Sequence, residues 1–282
     1  MRLNMTVARS LILTLVLCLT VVGCKGPRAR VALQKTQQTI TEIQDLNGDK
    51  HAPDQLTALQ SKADQINSLL ANEPGQALEL AKEAKTTAEN LLLEVTQAEA
   101  RDQWNSAEEA IRIAERNSLN RVDSARYERI LQLRSEANEA RANNEFNRVI
   151  QLSREIQQEV ETGISPLKNR AEAARIDAQS KLTDLKSEGG PIYDPESVID
   201  VQDTINQAVR KMEEESDFVL AENLFRNAVT QADAGIENVQ REKGKIAINE
   251  IEELLVVALD EGAREYVPNE YERVFSLLEG IV

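Results

Sequence analysis

Few residues in this 282-residue chain are of types that do chemistry, and their spacing limits what each is able to do. His51 is the only histidine and sits in Asn47-Gly48-Asp49-Lys50-His51 without a nearby partner set for acid–base or metal work. It reads as an exposed loop histidine. Asp45, Asn47, Gly48 and Asp49 have the composition of a calcium loop, but an EF-hand needs glycine at its sixth position and a carboxylate at its twelfth. Counted from Asp45, those positions hold Lys50 and Leu56, so the motif fails. The runs Glu213-Glu214-Glu215 and Glu250 with Glu252-Glu253 suit a solvated helix face. Paired carboxylates for hydrolysis must instead face each other across a cleft with one pKa raised. No phosphate-cradling glycine loop, nucleophile elbow or zinc motif stands in the sequence. The expectation is a non-enzymatic protein with no metal and no cofactor.

Arg134 and Arg141 are the other candidates. They stand where the matching segments of the chain carry apolar residues, and a basic spot of this kind could hold an acidic partner. The same segment also contains an intact stripe, Ile130, Leu133, Ala137 and Ala140, that accommodates the arginines by a small rotation of the helix.

The two cysteines lie near the start. An apolar run from Leu11 to Val22, with Arg2 and Arg9 before it, is 12 residues long. That is too short to span a bilayer core of about 30 Å, and it has the length of a secretory h-region. It closes on Val21-Val22-Gly23-Cys24, which resembles the lipobox of bacterial lipoproteins. The resemblance implies a signal peptide over 1–23, cleavage between Gly23 and Cys24, and a lipid on Cys24. Val22 departs mildly from the usual Ala or Ser. The family sorts by the residue after the cysteine, and Lys25 in place of aspartate implies the periplasmic face of the outer membrane. One acyl chain anchors only marginally, so the thioether-linked diacylglyceryl group with a further acyl chain such as palmitate implies firm anchoring. Cys18 leaves with the signal, and the mature chain is expected to have no free thiol.

Loss of Arg2 and Arg9 takes the formal charge from −15 to −17, which argues against nucleic acid as a partner. It argues equally against an anionic membrane surface as a partner. Aromatics are only 3% of residues, so an aromatic-lined pocket for a small molecule is not expected. Ala, Leu, Glu, Gln and Arg dominate, and all favour helix.

The elements that position these residues form a repeat. Pro53, Ser124, Pro195 and Pro268 stand in matching segments at steps of 71, 71 and 73. The same register joins Ile40, Ile111, Leu182 and Leu255, and again Leu59, Ile130, Val201 and Val274. Leu33, Thr36, Ile40 and Ile43 space as one helical stripe, repeated by Ile248, Ile251, Leu255 and Ala258. Such helices are expected to stop at left-handed caps near Gly48, Gly189 and Gly262. A second helix carries Leu56, Leu59, Ala63, Ile66 and Leu70, and Phe146 and Phe218 open a third. Trp104, at the position matching Leu33, reads as core.

Between Gln76 and Ser118 there is neither glycine nor proline, so a third helix is expected to run into the next first helix. About 40 residues would make a helix near 60 Å. Its stripe of Ala81, Ala84, Ala88, Leu91, Val95 and Ala98 does not continue in step to Trp104 and Ala107, so the helix is expected to present different faces to successive bundles. The fold class is therefore all-α: tandem three-helix units of 71–73 residues in a spectrin-like, coiled-coil rod of about 100 Å. The alternative is a solenoid like tetratricopeptide repeats, with the helix broken at Gly163 and Pro166. The organisation is a lipidated linker over 24–30, repeats over 31–99, 100–170 and 171–243, and a partial fourth over 244–282.

Gly262-Ala263-Arg264-Glu265-Tyr266-Val267-Pro268-Asn269-Glu270-Tyr271 resembles a helical domain-of-unknown-function family of bacterial envelope lipoproteins, which sometimes precedes OmpA-like domains. The resemblance implies a lipid-anchored helical body in the cell envelope with envelope proteins as partners. The expected role is spacer, scaffold or adaptor, and the alternative is a receptor lipoprotein that binds a peptide or protein.

Overall fold

The computed structural model describes residues 25–280, which contain twelve α-helices and no strand. Cys24, Gly23 and the expected signal segment over 1–23 lie outside the described residues. Residues 25–30, expected as a linker, are the first turns of helix α1 (Lys25–Asp45), and Ala29 is already buried.

The repeat is visible in the backbone. Three times a helix ends on a left-handed residue, makes one more helical turn, passes through an extended residue and starts a second helix. The one-turn helices are α2 (Gly48–His51), α5 (Leu119–Val122) and α8 (Gly190–Tyr193). The second helices are α3 (Pro53–Leu69), α6 (Ser124–Ala142) and α9 (Pro195–Glu213). A fourth copy comprises α11 (Ala263–Tyr266) and α12 (Pro268–Glu279). The left-handed residues are Asn47 (φ 60°), Ser118 (53°), Gly189 (101°) and Gly262 (84°). The cap expected at Gly48 thus falls on Asn47, the residue type that best tolerates this region after glycine. Gly48 is held by crowding instead: a Cβ there would lie 2.4 Å from Ile43 Cγ2 and 2.7 Å from the Ile43 carbonyl oxygen. Pro53, Pro195 and Pro268 each open a second helix, where their missing N–H is no loss.

The long helices are continuous. They are α4 (Pro74–Arg116), α7 (Phe146–Ser187) and α10 (Phe218–Asp260), of 43, 42 and 43 residues. Each is about 65 Å long. The break considered at Gly163 and Pro166 is absent, because α7 runs through both. An interior proline removes one N–H and costs about 3 kcal/mol. Burial of Ile164 and Leu167 on either side offsets it.

By its contacts the chain divides into two compact units, residues 25–112 with 127–160, and residues 113–126 with 161–280. In the first, α1 and α3 pack with the opening half of α4 around Ile43, Leu56, Leu59, Ile66, Leu91 and Val95. Fully burying each such side chain stabilises by about 1.5–3 kcal/mol. Thr36 lies on this stripe, and its hydroxyl donates to the Ala32 carbonyl at 3.0 Å. After Val95 the buried face of α4 moves by one residue to Thr96 and Ala100 and continues through Trp104, Ala107 and Ile111. The same unit buries Ile130, Leu133, Ala137 and Ala140 on α6.

In the second unit α9 lies along α10, and Val201, Ile205, Ala208, Phe225, Ala228 and Ala232 are buried. The start of α10 is held by Asn117, which is fully buried. Its amide donates to the carbonyls of Ile113 (2.9 Å) and Ser216 (2.7 Å). Its oxygen accepts from the N–H groups of Phe218 (2.8 Å) and Val219 (3.3 Å), two donors that a helix start leaves orphaned. Towards the end of the chain Ile248, Leu255 and Ala258 of the expected stripe are half-buried, whereas its fourth member Ile251 is exposed, as are Leu254, Val256, Val257 and Leu277.

Candidate functional site

The most developed polar centre of the first unit surrounds Glu99, on the solvent-poor face of α4. One turn of helix, α2, brings His51 to it because the left-handed Asn47 reverses the chain just before. The Glu99 and His51 side chains are 1% and 9% exposed, and His51 Nε2 lies 3.0 Å from Glu99 Oε2. Gln103 Nε2 donates to the other oxygen at 2.9 Å, and the Arg154 guanidinium stands 3.6 Å away. Gln157 in turn donates to Gln103 at 3.1 Å, joining α7 to the network. Burial by itself would raise the Glu99 pKa, but hydrogen bonds from His51, Gln103 and Asn47 override it and hold the carboxyl below its ordinary value. Glu99 is then ionised near neutrality and only accepts, so His51 Nε2 carries the proton.

His51 is therefore a buried partner of a carboxylate, not an exposed loop residue. The missed signal is Glu99 itself, a charged residue at a position where the buried face of α4 is turning over. Lys50, beside His51, pairs with Asp102 on the same helix. Chemically the arrangement fixes one imidazole against one buried carboxylate, with the exposed guanidinium of Arg154 at its edge. No group of three His, Cys, Asp or Glu able to hold a metal occurs among the described residues.

Arg134 and Arg141 both come from α6 and reach towards α4. Arg134 forms a forked pair with Glu108, at 2.9 and 2.7 Å. Arg141 lies over the Trp104 ring, 4.7 Å from its centroid. Trp104 is core, as read from its position. The exposed side of Arg141 borders an open groove of about 380 Å³ with Gln97, Ala100, Arg101, Asn144, Phe146 and Val149.

The acidic runs divide on inspection. Glu213 pairs with Arg175 at 3.0 Å and Glu215 with Lys211 at 2.7 Å. Glu250, Glu252 and Glu253 are exposed on α10.

Among the described residues no helix is long and apolar enough to cross a membrane. No protein-family model matches the chain, and neither a curated protein nor a solved structure is found similar to it.

Proposed function

We propose that the protein is a lipid-anchored, non-enzymatic helical-repeat protein of the bacterial cell envelope, acting as a spacer, scaffold or adaptor. The observation that carries this is the sequence Val21-Val22-Gly23-Cys24 set directly before a helical body that begins at Lys25. A lipid on Cys24 would place α1 at the membrane surface, on the periplasmic face of the outer membrane. The three-helix units in a spectrin-like series form the body of this reading.

The adaptor element, and with it the alternative of a receptor for a peptide or protein, is supported at Arg141. Arg134 is taken up by Glu108, whereas Arg141 and Arg101 border one open groove. An acidic segment of an envelope protein suits that pair of cations.

Replacing Cys24 with serine in the producing cell tests the anchor. The expected result is an unprocessed precursor that takes up no labelled palmitate. A variant processed and retained in the membrane like the parent would contradict it.

A further inference from the structure

The charge of the chain is distributed against its overall sign. Residues 25–41 carry Lys25, Arg28, Arg30 and Lys35 and no acid, in a chain whose formal charge is −15. All four belong to α1, and three of them fall in its first six residues. A helix N-terminus is the positive end of the dipole, so cations there are locally unfavourable and acids are expected. The first turn of α1 contains no acid.

No neighbour compensates. None of the four cations makes an ion pair with a described residue. On α4, Glu79 pairs with Lys82 (2.9 Å), Glu83 with Lys62 (2.6 Å) and Glu89 with Lys85 (3.3 Å). Arg28 and Lys35 flank an open, mainly apolar groove with Pro27, Val31, Ala32 and Lys85, and Val31 is 56% exposed. Lys25 reaches back beside the start of α4, its Nζ 3.9 Å from where a Cβ on Gly75 would stand. The end of the first unit next to residue 24 is thus a basic, partly apolar surface whose charges no described acid neutralises.

We infer that this surface docks on anionic phospholipid headgroups, with Lys25, Arg28 and Lys35, which share one side of α1, as the main contacts and Val31 at the interface. The inference rests on the anchor at Cys24, which would start α1 at the bilayer; Lys35, about 15 Å further along the helix, meets the headgroups with α1 lying along the surface. It also removes the objection from net charge. Screening at physiological salt acts over about 8 Å, so the acidic remainder of the body contributes little at the membrane surface. Each basic residue near an anionic surface strengthens binding about fivefold, and three of them together about a hundredfold.

The mature chain from Cys24 to Val282, made without lipid, is the material for the test. Its first core closes among residues 29–95, so removal of the signal leaves that core whole. Flotation with phosphatidylcholine vesicles is compared with vesicles that also contain phosphatidylglycerol. Binding is expected to be about a hundredfold stronger to the anionic vesicles and to weaken with added salt. The variant Lys25→Gln/Arg28→Gln/Lys35→Gln keeps good helix formers and is expected to bind both vesicle types equally weakly. Equal binding of the parent to both vesicles, or full binding by the variant, overturns the inference. The two readings separate cleanly. Anionic-vesicle binding with an unlipidated Cys24 in cells removes the anchor and keeps the patch, and the reverse pair of results removes the patch alone.

Discussion

His51 Nε2 and the Glu99 carboxylate, 48 residues apart in sequence, meet at 3.0 Å with both side chains almost out of solvent. A one-turn helix and a long helix are tied by a charge-assisted bond that neither could make locally. Leaving the donors around Glu99 unsatisfied costs about 1–3 kcal/mol. Glu99→Ala is therefore expected to lower unfolding free energy by about 2 kcal/mol in urea titrations followed by circular dichroism.

The same carboxylate sets an acid dependence. Its folded pKa lies below the ordinary value, so the folded state binds that proton less readily than the unfolded chain. The stabilisation is complete above the unfolded carboxylate pKa and is lost as pH falls through the folded one. Glu99→Gln is expected to lose part of the decline in stability seen in the parent on acidification below that range. An identical slope in both proteins would show that Glu99 contributes nothing to it.

Asn117 satisfies two carbonyls and two N–H groups at once, and each bond depends on the planar amide. Asn117→Asp keeps the acceptor, loses both donations and buries a charge. It is expected to be more destabilising than Asn117→Ala, itself about 2 kcal/mol, by the same titration. A milder effect of aspartate would mean that the amide is reached by solvent.

Two glycines give opposite signs. A Cβ at Gly48 meets Ile43 Cγ2 at 2.4 Å, whereas Gly244, inside α10, has nothing within 4 Å. Gly48→Ala is expected to lower the thermal midpoint through overpacking of about 1–3 kcal/mol. Gly244→Ala is expected to raise it, through about 1 kcal/mol of helix propensity. Calorimetry on both variants decides.

Asp194 caps α9, accepting from the Ser197 N–H at 3.2 Å and the Ser197 hydroxyl at 2.7 Å, and also from Asn238 at 3.2 Å. Asp194→Ala is expected to cost about 1 kcal/mol, and Asp194→Asn less, because the amide oxygen still accepts. Equal losses would mean that the charge and not the cap matters.

The helical repeat was legible because its signals are periodic and local. Leu33, Thr36, Ile40 and Ile43 sit at helical spacing and all four are buried, and the buried face of α4 does change phase before Trp104, though one step earlier than the spacing implies, since Thr96 and Ala100 are buried and Ala98 is only half-buried. Phe146 and Phe218 open their helices as their positions imply. The one-turn helices at Gly48, Leu119, Gly190 and Ala263 were not legible, since four residues carry no periodicity. The left-handed cap moved from Gly48 to Asn47 because close packing on Ile43, and not backbone freedom, fixes that glycine. Glu99 and Asn117 escaped notice for a different reason. Each is a polar residue whose partners come from other helices, and spacing along one helix says nothing about them. Arg134 and Arg141 stand out in the sequence only by their positions, and Glu108 and Trp104, which receive them, are visible only once α6 lies beside α4.

The proposed lipid on Cys24 is tested most directly by the mass of the protein extracted from the cells that produce it. The expected species begins at Cys24 and carries the added mass of a thioether-linked diacylglyceryl group, with or without a further acyl chain. A chain beginning elsewhere, or Cys24 as an unmodified thiol, would contradict it.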